Sequence, residues 1–297
     1  MLILISDAFD KSLPDKLKVF GEVTDDTSRL SEADIVLIRS KTKATREYID
    51  QAKNMKLIIR GGVGMDNIDR AYCREKGIIS INTPKASGIA VAELAFGKML
   101  AVASNLQYYD RTMKNGEWTK KTKRHELYGK TLCCLGIGNI ASQLAMRAKA
   151  FGMNVVAYDK YVKMSPFATL LPTVEEAVAE ADYISIHLPL NPDTEGMFNR
   201  RLFDCMKKSP VIINTGRGKI INDNDMVDAL KDGRVGHFST DVYTVEPPTA
   251  ENCPYLGLDN VTVTPHVGAN SVENLLRIGD EVYATIQQFV EGKLCER

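Results

Sequence analysis

Four histidines, His125, His187, His237 and His266, are the side chains whose ordinary pKa suits proton transfer near neutrality, and spacing alone does not choose among them. His125 and His237 lack a supporting constellation, and His125-Glu126 has no second histidine to make a zinc-binding helix, so no metal is expected. A firmer signal is Gly136-Ile137-Gly138-Asn139-Ile140-Ala141, placed between the apolar run Thr131-Leu132-Cys133-Cys134-Leu135 and a helical pattern over 142–151. The first glycine allows a tight turn and the second lets the backbone approach a pyrophosphate. The small Ala141 permits close helix-strand packing, and the free N–H groups of the first helical turn face the phosphates. The next strand ends in Asp159, where a carboxylate would accept both hydroxyls of an adenosine ribose and repel a 2′-phosphate. NAD is the expected cofactor, with the adjacent Lys160 leaving NADP open.

Those residues need a frame. Short runs rich in Val, Ile and Leu recur at 2–5, 34–38, 57–60, 131–135, 154–158, 183–187, 210–214, 235–241 and 260–264, alternating with helical patterns. Continuous rather than alternating apolar character marks strands covered on both faces, so the class is α/β with parallel sheets. Between the two series, a single helix is expected over about 88–113, with so little polar surface that it should be buried on several sides and pack against a second copy in a homodimer. At 297 residues two domains are expected: 1–84 plus about 271–297, with an amphipathic helix over 271–291, and 85–270.

Composition narrows the partners. Lys plus Arg number 38, as do Asp plus Glu, and no block of like charge runs along the chain, which argues against nucleic-acid or membrane partners and for a small-molecule substrate. The six cysteines, at 73, 133, 134, 205, 253 and 295, form no C-x-x-C pair, which suits reduced thiols and a cytoplasmic setting. The opening run Leu2-Ile3-Leu4-Ile5 is too short for a signal core or a membrane span.

The downstream motifs Ile186-His187-Leu188-Pro189-Leu190 with Thr194, Asn214-Thr215-Gly216-Arg217-Gly218, Asp241-Val242-Tyr243-Thr244-Val245-Glu246-Pro247 and Thr264-Pro265-His266-Val267-Gly268 resemble the successive signatures of the D-isomer-specific 2-hydroxyacid dehydrogenases. Upstream, Gly62-Val63-Gly64-Met65-Asp66-Asn67-Ile68-Asp69 and Asn82-Thr83-Pro84 resemble the same family, so the likeness covers nearly the whole chain. It implies two Rossmann-like or flavodoxin-like domains with the active site in the cleft between them. It also implies that His266 exchanges a proton with the C2 oxygen, that Glu246 orients its ring, and that Arg217 binds the substrate carboxylate. His187, Pro189, Thr194, Thr215, Asp241 and Gly268 would join Gly136, Gly138, Asn139, Ile140 and Asp159 around NAD, and the N–H groups of Val63 and Gly64 would help hold the carboxylate.

Within the family, Ile38-Arg39-Ser40-Lys41-Thr42 and Gly116-Glu117-Trp118 are most similar to the branch acting on D-3-phosphoglycerate. Arg39, Ser40, Lys41 and Arg60, with Lys120, could grip a phosphate, or could be solvated loop residues. Another hydroxy acid, and a non-catalytic NAD-binding sensor, stay open. Ala141, Asn139 and Asn270 depart from the family's common residues at positions concerned with cofactor packing.

Overall fold

The computed structural model describes residues 1–294, so Cys295 lies outside the described residues. The chain divides into two compact units, Met1–Ser87 with Ala269–Arg297, and Gly88–Gly268.

The first unit is built on five parallel strands: β1 (Leu2–Ile5), β2 (Glu22–Thr24), β3 (Ile35–Ile38), β4 (Leu57–Arg60) and β5 (Ile79–Asn82), in the order β2-β1-β3-β4-β5. This is the flavodoxin-like order. Every residue of β1 and β3 is buried because both faces are covered. Leu4, Val36 and Ile58 pack with Ile49 and Cys73 on one side, and Ile3, Ile35 and Leu57 meet Leu13 and Ile278 on the other. Ile278 belongs to the amphipathic helix Val272–Val290, whose N-cap Ser271 accepts from the Asn274 N–H. Side chains of period two on the strands and of period 3.6 on that helix thus share one core.

The second unit carries seven parallel strands: β6 (Thr131–Leu135), β7 (Asn154–Tyr158), β8 (Thr169–Leu170), β9 (Tyr183–Ile186), β10 (Val211–Asn214), β11 (His237–Thr240) and β12 (Val261–Val263). Their order, β12-β11-β10-β9-β6-β7-β8, is the dinucleotide-binding order with one added strand, and its direction of winding reverses between β6 and β9. In such sheets ligands bind beyond the carboxyl ends of the strands at that reversal. Here those ends are Leu135-Gly136 and Ile186-His187. The fold class expected from the sequence is borne out.

Two expectations change in detail. In place of one helix over 88–113 there are two, Gly88–Ala103 and Leu106–Lys114, bent by 60°. Asn105 adopts the left-handed conformation (φ 53°) at the break, and Asn is among the few residues that tolerate it. The first helix sets Ala92, Ala95, Phe96 and Met99 against Leu144, Ala145 and Ala148 of the helix Asn139–Ala150. Its small side chains permit that close packing. Three further strands, β2, β5 and β8, accompany the nine apolar runs. Among the described residues no single helix is long and apolar enough to cross a membrane.

Candidate active site

At the reversal between β6 and β9, Gly136 has φ +84°, its N–H donates to the Tyr158 carbonyl at 2.8 Å, and a Cβ there would stand 2.8 Å from the His187 carbonyl oxygen. Gly138 differs. It is the extended N-cap of the Asn139–Ala150 helix, and a Cβ on it would meet nothing within 4 Å. The first glycine is required by the protein's own backbone, whereas the second faces open space at a helix N-terminus, where a pyrophosphate would sit. Asn139 and Ile140 open that helix, and Ala141 is fully buried behind them.

Asp159 accepts from the N–H groups of Ile137 (2.9 Å), Tyr161 (2.8 Å) and Val162 (2.9 Å). Partial burial opposes its ionisation, but the three donors outweigh it and hold the carboxyl below the usual range. Oδ1 already accepts two of these bonds and Oδ2 one, so an acceptor site remains on Oδ2 for a ribose hydroxyl. Lys160 turns away to pair with Asp193 at 2.8 Å. Burial pushes the His187 imidazole down to about 4, so it is neutral at pH 7, and its Nε2 lies 2.9 Å from Ser185 Oγ. The Thr194 hydroxyl donates to the Pro189 carbonyl at 2.6 Å and closes that loop, whereas the buried Thr215 Oγ1 has no hydrogen-bond partner in the protein. An orphaned hydroxyl, an open helix end and a carboxylate with spare acceptor capacity fit a dinucleotide.

Three residues distant in sequence converge in the same unit. His266, held at φ 53°, directs Nδ1 to Glu246 Oε2 at 2.7 Å, and Glu246 Oε1 accepts from the Tyr243 N–H at 3.2 Å. Burial opposes ionisation of Glu246. The hydrogen bond and charge of His266, the Tyr243 donor and the positive field of Arg217 together exceed that effect and lower its pKa. Arg217 reaches this position through tight local packing. The fully buried Asn214 amide accepts from the Gly216 N–H (3.0 Å) and donates to the Arg217 carbonyl (3.0 Å), and a Cβ on Gly218 would overlap the Tyr243 carbonyl group. Asn214, Gly218 and Tyr243 were not among the site residues read from the sequence, although all three lie inside the quoted motifs.

Asp241, 1% exposed, anchors the chain that leads to His266. Its carboxylate accepts from Thr264 Oγ1 (2.6 Å), the Val267 N–H (2.9 Å) and the Gly268 N–H (2.8 Å), while a Cβ on Gly268 would stand 3.1 Å from Asp241 Oδ2. Tyr243 Oη adds a bond to the Thr264 carbonyl at 2.9 Å.

In the first unit, the Arg39–Thr42 loop is clamped by Asp7, which accepts from the Arg39 and Thr42 N–H groups, and by Asn67, whose amide donates to the carbonyls of both residues. The Arg39 guanidinium spans the Ala8 and Ala269 carbonyls, each at 3.3 Å. Burial lowers its pKa, partly offset by Asp7, and its Nε is buried without a hydrogen-bond partner. Ser40 and Lys41 are exposed. The Arg60 guanidinium fills the space a side chain on Gly62 would need, in the turn that carries exposed Val63 and half-buried Gly64. Lys120 is an exposed residue of the second unit. Among the described residues no group of three His, Cys, Asp or Glu side chains is arranged to hold a metal.

Residues 96–268 match the family described as D-isomer specific 2-hydroxyacid dehydrogenase, NAD binding domain. A D-3-phosphoglycerate dehydrogenase of Methanocaldococcus jannaschii is 40% identical over 99% of this chain, which spans 58% of that protein's length. A hydroxypyruvate reductase of Thermotoga maritima is 41% identical, over 86% of this chain and 85% of that protein. Among solved structures, a D-lactate dehydrogenase of Aquifex aeolicus complexed with NAD and lactic acid superposes with a TM-score of 0.86 at 28% identity, covering 99% of this chain and 96% of that one.

Proposed function

The chain belongs to the D-isomer-specific 2-hydroxyacid dehydrogenases, with the family's NAD-binding domain in its second unit, and from that premise we propose that it oxidises and reduces a phosphorylated D-2-hydroxy acid at C2, D-3-phosphoglycerate in particular. The observation that carries the reaction type is the 2.7 Å pairing of His266 Nδ1 with Glu246 Oε2, with Arg217 acting on the same carboxylate. NAD bound along Gly138, Asn139, Ile140 and Asp159 supplies the acceptor for the hydride of C2. Because Glu246 occupies Nδ1, Nε2 of His266 is the nitrogen left to take the C2 hydroxyl proton, and the imidazolium so formed is stabilised by the carboxylate behind it. The Arg217 guanidinium offers a planar fork to the substrate carboxylate and positive charge to the C2 oxygen as that oxygen becomes negative in the reverse direction.

The phosphate preference is supported by the likeness to D-3-phosphoglycerate dehydrogenases and by the Arg39, Ser40, Lys41 and Arg60 cations and hydroxyl of the first unit, with Val63 and Gly64 N–H groups on the substrate carboxylate. Turnover of D-3-phosphoglycerate and D-glycerate, each with NAD and NADP, tests it. The expected result is a kcat/KM at least roughly a hundredfold higher for the phosphorylated acid with NAD. Equal values would leave the second reading, a hydroxypyruvate reductase, favoured by the Thermotoga relative of similar extent.

Two further parts of the proposal concern setting. The apolar side chains of Leu106, Met113 and Trp118 are 56%, 52% and 76% exposed on and beside one short helix, which supports a second copy of this chain as their cover. Sedimentation as a monomer at micromolar concentration would overturn that. All five described cysteines are free and four are buried, as suits a reducing cytoplasmic setting.

A further inference from the structure

Lys98 is the only charged residue among the buried positions of the Gly88–Ala103 helix. It is 7% exposed, and its Nζ donates to the Thr240 carbonyl at 3.0 Å and lies 3.5 Å from Ser239 Oγ. Its neighbours on the helix, Ala95 and Met99, are apolar core, so methionine would fill the same space without desolvating an ammonium. The charge therefore needs a reason.

The electrostatics supply one. Burial lowers the Lys98 pKa to about 8, and the carboxylate of Asp241 opposes that shift, so the two groups feel each other through the protein interior. Asp241 takes its three hydrogen bonds from neutral donors, Thr264 Oγ1 and the N–H groups of Val267 and Gly268. Lys98 also holds the carbonyl of Thr240, the residue immediately before Asp241. Beyond it, Ser239 accepts from Thr262 Oγ1 at 2.7 Å, and Thr262 lies 3.2 Å from His237 Nε2. Burial, assisted by the field of Lys98, keeps His237 neutral, with its pKa near 4. That polar chain therefore brings no further positive charge to the ammonium at neutral pH.

We propose that Lys98 is a positioning residue that fixes the Thr240–Asp241 turn and offsets the Asp241 charge, thereby setting how strongly the site prefers the oxidised over the reduced dinucleotide. The inference rests on the proposed function: Asp241 follows β11 at the carboxyl edge of the sheet and accepts from the N–H of Val267, the residue next to His266, so it is read as lying on the nicotinamide side of the dinucleotide. That ring carries one positive charge when oxidised and none when reduced. A bare carboxylate beside it favours the oxidised form, and an ammonium behind the carboxylate reduces that bias.

Calorimetric titration of the full chain with NAD+ and with NADH separates the possibilities. Lys98→Met should raise Kd(NADH)/Kd(NAD+) by roughly tenfold, a unit-charge effect over about 10 Å at an effective dielectric of about 20 to 30. Asp241→Asn should lower the same ratio. Lys98→Gln keeps a donor for Thr240 without the charge and should raise the ratio as methionine does. It also serves if the methionine variant does not fold. An Asp241→Asn ratio equal to wild type would overturn the placement of Asp241 beside the ring. A lowered ratio in Asp241→Asn with no change in both lysine variants, or equal weakening of both dinucleotides, would overturn the role given to Lys98 while sparing that placement.

Discussion

The Arg217, Glu246 and His266 group and the Arg39, Ser40, Lys41 and Arg60 group are both set at or just beyond the carboxyl ends of parallel strands, yet they are fixed to very different degrees. In the first, each residue is constrained by a second. His266 is held by Glu246, Glu246 by the Tyr243 backbone, and Arg217 by a loop that Asn214 braces and Gly218 alone can close. In the second, the loop backbone is clamped by Asp7 and Asn67, but two of the side chains project into solvent. The contrast separates two requirements: proton transfer needs one geometry, whereas gripping a phosphate needs charge within reach and tolerates several geometries.

The largest expected effect breaks the rigid group. His266→Ala should lower kcat by roughly a thousandfold while the Kd for NAD+ stays within about twofold, as rapid kinetics and calorimetry would read. A fall of less than tenfold would remove His266 from proton transfer. Glu246→Gln keeps a hydrogen-bonding side chain but not the charge, and a loss of roughly ten- to a hundredfold in kcat is expected at unchanged substrate KM. In the looser group, Arg39→Ala should raise KM for D-3-phosphoglycerate by roughly tenfold and leave that for D-glycerate alone. Equal rises for both acids would deny it a phosphate role. Smallest is an effect on stability. His187 has a folded pKa of about 4, below its ordinary 6.5, so the unfolded chain takes up its proton first and stability falls as pH drops from about 6.5 to 4. Because part of the His187 surface stays accessible, roughly 1–2 kcal/mol is at stake. In urea melts His187→Gln should flatten the acid limb by that amount.

How much of this was legible in the sequence depended on where an element lies in its sheet. Strands β1, β4, β6 and β7 have the bounds expected from their apolar runs. The three strands without such a signal, β2, β5 and β8, all lie at sheet edges, where one neighbour is missing and side chains need not be continuously apolar. The helix break at Asn105 was hidden for another reason: the apolar pattern runs on through Leu106, and a single left-handed residue leaves little trace in it. At the site, Arg217, Glu246 and His266 were legible only through the resemblance of their motifs to those of the family, since spacing alone does not bring residues so distant in sequence together. Lys98 went unread, since in one dimension a lone lysine in a greasy helix looks like a residue on the wet side, and only the fold places it beneath Asp241.

Asp159 has a consequence for anyone redesigning coenzyme choice. The same carboxylate that would exclude a 2′-phosphate also staples the glycine turn to the end of β7 through Ile137, and orders its own loop through Tyr161 and Val162. Exchanging it for a neutral residue to admit NADP would therefore slacken the turn that seats either coenzyme. A successful swap has to supply a new acceptor for those three amides along with a cation for the extra phosphate.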